Sequence, residues 1–383
     1  MKNSGRKDGL HPMLTSFEAI LDSLNDGVYV CDLERRIVYW NQAAEKITGW
    51  RAEEILGRHC LDDFLCHEDK DGHRMCGKEH CPLHRAMITG TVTHVPVIAF
   101  ARSRDNRRIP MQITAAPIRD AEGKVVGGVE TFRDVSPMLG DLRRARKIQS
   151  RALEKKRPPD PRIQFKAHYL PHDMVGGDYY AFQPLDAEHY GFMLADMEGH
   201  GLAAALNTIQ LDTMWERHYH RLKSPAVFGQ AISQDLRILF GRDTSFATAV
   251  MGTIDARQGQ TRITVAGGPP PVLIKADKSI TPLNPGGIPL GILDDYTYRE
   301  QIVRLAPRER LLIFTDGALE IENRRGQPLG TEGFLAVLQA MGYPATPLNF
   351  EALCVKLLRY SNAIRFPDDL TVLEIGYQDT PPE

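Results

Sequence analysis

Four aspartates in the C-terminal half stand where an apolar run meets a turn. Asp178 follows Gly176-Gly177 in VGGDYY. Asp196 closes YGFMLAD ahead of MEGHG. Asp316 closes LLIFTDG. Asp368, with Asp369 beside it, opens DDLTVLEIG. Any one of them alone reads as a turn or helix-cap residue. Together they pose an electrostatic problem. Carboxylates projecting from the ends of several core strands repel one another, and cations relieve that repulsion. A donor set made of oxygen suits Mg²⁺ or Mn²⁺ rather than zinc, and this half holds no zinc-like His/Cys pairing. The glycines give backbone and solvent close access to such ions. Two neighbouring ions can present a water-derived nucleophile in line with phosphorus and stabilise the charge on the departing oxygen. On this reading Asp178 bridges the ions, and Gly176 and Gly177 make room for them.

The elements that must position these acids are strands. IQFKAHYL, YGFMLAD, FATAVMGTID, TRITVAG, RLLIFTD and DLTVLEIGY read as strands, while LAAALNTIQLDTMWERHYHRL and FEALCVKLLRYSNA read as long helices. Strand and helix do not alternate strictly. Antiparallel sheets with helices packed outside, an α+β arrangement, therefore fit better than a doubly wound parallel sheet.

Seven stretches occur in one order over residues 161–377: VGGDYY, ADMEGHGLAAAL, FATAVMGTID, AGGPPPVLI, GIPLGIL, LLIFTDGALEIEN and FPDDLTVLEI. In them the segment resembles the PPM-type, metal-dependent serine/threonine protein phosphatases, in particular the bacterial branch typified by the stage II sporulation protein E phosphatase. The resemblance implies a β-sandwich flanked by helices. It implies two divalent cations, Mn²⁺ or Mg²⁺, on Asp178, Asp196, Asp316 and Asp368, with the backbone carbonyl of Met197 as a further ligand. Asp369 falls where a non-ligand acid or amide follows the last ligand. The sequence departs from the family at Ala181, where an acid is frequent, and at Gly268, where a histidine is commoner. His200 in GHG reads as a turn residue before a helix rather than as a general acid.

Residues 13–135 form a second segment. FEAILDSL is helical in spacing, GVYVCDLERRIVYWN reads as two strands around a charged turn at Leu33 to Arg36, and Ala43 to Leu56 returns to helical spacing. VTHVPVIAF, IPMQITAAPIRD and VVGGVETFRD then read as strands. In SLNDGVYVCDLERRIVYWNQAAEKITGW, EEILGR and PIRDAEGKVVGGVETFRDVS the segment resembles a PAS sensor domain, an α+β fold. Four cysteines cluster within it, Cys60, Cys66, Cys76 and Cys81, interleaved with histidines. Three readings stand side by side: a bound metal or iron–sulfur cluster, a thiol redox switch, and simple packing.

Residues 136–160 join the two. SPMLGDLRRARKIQSRALEKKR is charged and helical, with a stripe of Leu139, Leu142, Ala145, Ile148 and Ala152, and Pro158-Pro159 stops it. The stripe is read as a short coiled coil pairing two chains into a homodimer, and ARKIQSRAL resembles the regulatory helix of the phosphatase branch.

The bulk composition agrees with two domains. The chain has 383 residues, more than one ordinary core accommodates. A net charge of −2 gives no support to nucleic-acid binding. No stretch approaches a membrane span and no secretory signal is seen, which places the protein in the cytoplasm with reduced thiols. The function these readings imply is a sensor-regulated phosphoserine/phosphothreonine phosphatase. Its substrate, by the same resemblance, is a phosphorylated anti-sigma-factor antagonist. Two alternatives are a diguanylate cyclase, suggested by the GGD turn, and a catalytically silent partner-binding module.

Overall fold

The computed structural model describes residues 17–62, 64–69, 72–76, 81–94, 98–153, 160–199, 201–241, 245–361, 363 and 366–378. The chain divides into two compact units, Met1–Asp141 and Leu142–Glu383.

The first unit is an antiparallel sheet with short helices. Its helices are α1 (Phe17–Asp22), α2 (Gln42–Thr48), α3 (Ala52–Ile55) and α4 (Pro82–Thr89). Its strands are β1 (Gly27–Asp32), β2 (Ile37–Trp40), β3 (Thr93–His94), β4 (Ala99–Arg102), β5 (Arg108–Arg119) and β6 (Val125–Asp134). They run in the order β2-β1-β6-β5-β3, with β4 also paired to β5. The charged turn forms as expected, with Arg35 at φ 59° between β1 and β2. Asn41 shows why a polar residue sits in the core. Its Oδ1 accepts from the backbone N–H of Val28 at 2.9 Å and caps α2 by accepting from Ala44 at 2.8 Å, while Nδ2 donates to the carbonyls of Leu21 and Asp26. The helical spacing from Ala43 to Leu56 breaks at Gly49, which takes φ 78° and ends α2. The expected strand VTHVPVIAF is two pieces, β3 and β4, and residues 95–97 lie outside the described ones.

Helix α5 (Ser136–Leu153) follows β6 directly, and the boundary between the units falls within it. Its expected stop at Pro158-Pro159 lies outside the described residues.

The second unit is a sandwich of two five-stranded antiparallel sheets. Its strands are β7 (Ile163–Leu170), β8 (Asp178–Pro184), β9 (His189–Met197), β10 (Ala247–Asp255), β11 (Gln260–Ala266), β12 (Val272–Ile274), β13 (Ile280–Pro282), β14 (Gln301–Arg304), β15 (Arg310–Phe314) and β16 (Leu370–Tyr377). One sheet runs β14-β11-β10-β9-β8 and the other β13-β12-β15-β16-β7. Phe182, Phe192, Leu194, Val250 and Ile263 of the first interdigitate with Leu311, Ile313, Leu373 and Ile375 of the second. Buried side chains of this size each contribute about 1.5–3 kcal/mol, so this apolar layer holds the two sheets, and the loops at their ends, in fixed register.

Helices cover the outer faces. On the first sheet lie α6 (Leu202–His218) and α7 (Pro225–Phe240), through Trp215, Phe228 and Ile232. On the second lie α8 (Gly330–Ala340) and α9 (Phe350–Ser361), through Phe334, Leu338, Leu353 and Leu357. The long helix read from LAAALNTIQLDTMWERHYHRL is shorter than its pattern: α6 ends at His218, and Tyr219–Lys223 form a 3-10 turn that buries Leu222.

Candidate metal centre

The strand register brings the acids together from both sheets. Asp178 opens β8 and lies directly opposite Asp196 near the end of β9. In the second sheet Phe314 pairs with Val372. That register sets Asp316, just after β15, beside Asp368 and Asp369, just before β16. The apolar layer between the sheets then places the two pairs at one end of the sandwich. The acids feel one another across it: Asp178, Asp316 and Asp368 all act electrostatically on Asp196.

Asp178 is fully buried. Its Oδ2 accepts hydrogen bonds from the hydroxyls of Thr315, at 3.1 Å, and Thr371. The backbone N–H of Thr371 in turn donates to Thr315 Oγ1 at 3.1 Å. The other oxygen, Oδ1, is buried without a hydrogen-bond partner. Burial, followed by the charge of Asp369, raises the Asp178 proton affinity well above the carboxylate norm, and the two threonine hydroxyls oppose the shift. Asp196 is pushed up to about 10, by burial first and then by Asp178, Asp316 and Asp368. Asp316 is raised by burial and by Asp368, against a hydrogen bond shared with Asp196. This is the signature of carboxylates gathered without a countercharge.

Divalent cations fit this donor set. The donors are oxygens, one of them an orphaned buried carboxylate oxygen, and the backbone leaves room beside them. A Cβ on Gly177 would stand 2.9 Å from the Met197 carbonyl oxygen and 3.0 Å from that of Gly199. Only glycine lets the turn before Asp178 lie against the carbonyl expected to serve as a ligand. Among the described residues no three His, Cys, Asp or Glu side chains are already drawn in to hold an ion. Asp196 and Asp316 share a hydrogen bond, and Asp178 Oδ2 is committed to its threonines.

The adjacent acids Asp368 and Asp369 take different surroundings. Asp369 is buried and accepts from the backbone N–H of His172 at 2.6 Å and from that of Gly177. A Cβ on Gly176 would collide with the same carboxylate. Asp369 therefore clamps the turn that carries Asp178. Asp368 is only partly buried and accepts from the backbone N–H of Asp369 at 2.8 Å. Ala181 is buried in the apolar layer beneath α6, remote in character from the acids. Gly268 lines a small gap with Asp196, Thr248 and Thr315. His200 lies outside the described residues.

Three side chains that support the acids or their turn were not singled out by spacing. Thr315 and Thr371 sit inside the TDG and DDLT stretches, so their nearness to the acids was a usable signal. Gln149 was hidden in a charged helix. It is buried, its Nε2 donates to the Gly176 carbonyl at 2.6 Å and to Thr208 Oγ1 at 2.9 Å, and its Oε1 accepts from the Gly176 N–H at 3.3 Å. In the apolar stripe read along this helix Leu139 is buried, but Ile148 is exposed. In the other unit Cys60 and Cys81 are buried while Cys66 and Cys76 are partly so, and all are unbridged thiols.

A family model described as Stage II sporulation protein E (SpoIIE) matches residues 186–378, and one described as PAS fold matches residues 15–135. Phosphoserine phosphatase RsbP of Bacillus subtilis (strain 168) is 27% identical over 183 residues, covering 47% of this chain and 45% of that protein. Phosphoserine phosphatase RsbU of the same organism is 24% identical over 204 residues, covering 51% of this chain and 59% of that protein. The match thus spans about half the length of these curated relatives. The solved SiaA-PP2C domain of Pseudomonas aeruginosa aligns at a TM-score of 0.54 and 24% identity, over 64% of this chain and 100% of that one, and it shares the fold. Among the described residues no helix is long and apolar enough to cross a membrane.

Proposed function

Since this chain belongs to the Stage II sporulation protein E (SpoIIE) family and carries a PAS fold ahead of the matched region, we propose that it is a sensor-regulated, metal-dependent phosphatase of phosphoserine and phosphothreonine proteins. The observation that carries this reading is that Asp178 and Asp196 from one sheet and Asp316 and Asp368 from the other lie near enough to act electrostatically on one another, with Asp178 Oδ1 buried and unpartnered. Asp178, Asp196, Asp316 and Asp368 would hold two Mn²⁺ or Mg²⁺ ions with the Met197 carbonyl. Those ions supply a water nucleophile and neutralise the phosphate charge. The chain's own work is positional. Thr315 and Thr371 fix one oxygen of Asp178, which would leave the other available to hold the ions. Asp369 holds the turn that carries Asp178, and Gly177 keeps the backbone close to Met197. The GGD turn lies in a sandwich of this family, which favours the phosphatase over a cyclase.

Two curated relatives are named phosphoserine phosphatases, and the substrate proposed here is a phosphorylated anti-sigma-factor antagonist in a partner-switching pathway of the cytoplasm. Regulation would pass through α5. Gln149 ties that helix to Gly176, beside a cleft of 720 Å³ lined by Arg146, Gln149, Leu153, Lys166 and Tyr169. Movement of the helix would thus reach the turn that bears Asp178. Pairing of two chains along the helix is part of the same proposal.

The test is hydrolysis by the full chain of p-nitrophenyl phosphate and of a phosphoserine-bearing antagonist protein, with and without Mn²⁺. Manganese-dependent release of phosphate that Asp178→Asn and Asp316→Ala abolish supports the reading. Turnover untouched by both substitutions refutes it.

A further inference from the structure

The core of the first unit contains polar groups that its packing does not require. Glu130 lies on β6, opposite Tyr29 of β1 and Ala115 of β5, and is fully buried in the middle of the sheet. Neither of its carboxyl oxygens makes a hydrogen bond of good geometry; burial raises its carboxyl to about 8, and only the nearby Tyr29 hydroxyl opposes that shift. His67, 2% exposed, turns its Nε2 toward Glu130 Oε1 at 3.5 Å, and that nitrogen also has no hydrogen-bond partner. Cysteines share this core. The Cys76 Sγ accepts from the His67 backbone N–H at 3.2 Å. Cys31, Cys60 and Cys81 belong to the same buried cluster, and Glu130 acts electrostatically on Cys31, Cys60 and Cys76.

Burying a polar group without a partner costs on the order of 2–7 kcal/mol, and thiols are weak hydrogen-bond partners. Phe64, Leu65, Leu83, Ile113 and Phe132 pack around the cluster, so whatever compensates the pair must be small. The 3.5 Å separation of nitrogen and oxygen is that of two ligands on one ion. With metal–ligand bonds of about 2.0–2.1 Å it subtends about 115°, near a tetrahedral angle.

We propose that the PAS unit binds one borderline transition-metal ion of the zinc class through His67 Nε2 and Glu130 Oε1, with Cys76 and one of Cys60 or Cys81 completing the set. Mixed nitrogen, oxygen and sulfur donors favour zinc-like ions over the hard cations expected at the aspartates. Among the described residues no third donor is yet drawn to the same point, so filling the site draws Cys76 and Cys60 or Cys81 toward Glu130 on β6. That strand runs directly into α5. Cys66, at φ 45° and only partly buried, is not assigned to the site.

The full-length protein, purified without added metal, is assayed for zinc and iron and then titrated with Co²⁺. A near-ultraviolet sulfur-to-cobalt charge-transfer band is expected, which an all-oxygen aspartate centre cannot produce. Cys76→Ser and His67→Ala should weaken Co²⁺ binding read by this band more than about 10-fold, and Asp178→Asn should leave it unchanged. If either variant fails to fold, displacement of bound metal from the wild-type protein by a thiol-reactive reagent, at one ion per chain, provides the reading. Absence of the band together with absence of bound metal overturns the proposal. A disulfide among these cysteines in that metal-free protein would point to a redox switch instead, and free thiols to packing alone.

Discussion

The side-chain amide of Gln149 donates to the carbonyl of Gly176 at 2.6 Å and accepts from its N–H at 3.3 Å, so a buried residue of the linking helix grips the residue two positions before Asp178. A buried amide that satisfies both backbone groups of one residue is costly to lose.

Gln149→Ala is therefore expected to destabilise the second unit by about 1–3 kcal/mol and to raise the Mn²⁺ concentration needed for half-maximal activity. Thermal melting and a metal titration of activity check the two parts separately. An unchanged metal requirement would remove Gln149 from the path between sensor and centre.

Asp368 and Asp369 are predicted to fail in opposite ways. Asp368→Asn should leave the melting temperature near wild type and reduce activity by at least about 100-fold, the loss expected when an electrostatic partner of the transition state is removed. Asp369→Asn should cost about 1–3 kcal/mol of stability, because the N–H groups of His172 and Gly177 bond to different carboxylate oxygens, and the amide nitrogen that replaces one of them cannot accept. Melting curves and turnover measured on both variants show whether the order is reversed, which would exchange the two roles.

Gly177→Ala places a Cβ 2.9 Å from the Met197 carbonyl oxygen. Relief of that overlap moves either the carbonyl or the turn, and strain of this kind costs about 1–3 kcal/mol. Activity should fall more steeply than stability, and Gly286→Ala, at a site with open space but φ 72°, supplies the comparison for backbone strain alone. Equal losses in both variants would mean that the close approach to Met197 has no catalytic meaning.

Thr371→Val keeps shape and removes the hydroxyl that donates to Asp178. Manganese binding measured by calorimetry should weaken, and Thr371→Ser should restore it. Wild-type binding by the valine variant would contradict the orienting role.

The sequence made some of this legible and hid the rest, for physical reasons. Asp178, Asp196, Asp316 and Asp368 were visible because each interrupts an apolar run at a turn, a pattern written locally. Their meeting depends on cross-strand register, Asp178 against Asp196 and Phe314 against Val372, which no local window contains. Gln149 escaped notice because its helix exposes most of its length, and the one polar residue that turns inward resembles its solvated neighbours. The Glu130–His67 pair escaped because its members lie far apart in the chain and meet through the sheet. The cysteines and interleaved histidines near it were visible as a cluster, but nothing in their spacing told His67, which is buried, from the rest.

The most direct test of the central claim is Mn²⁺ binding to the full chain by calorimetry, without substrate. Two ions per chain are predicted to bind at the aspartate centre, and Asp178→Asn and Asp316→Asn should each abolish that binding while the melting temperature stays near wild type. Two-ion binding retained by both folded variants would show that these four acids do not share a metal centre.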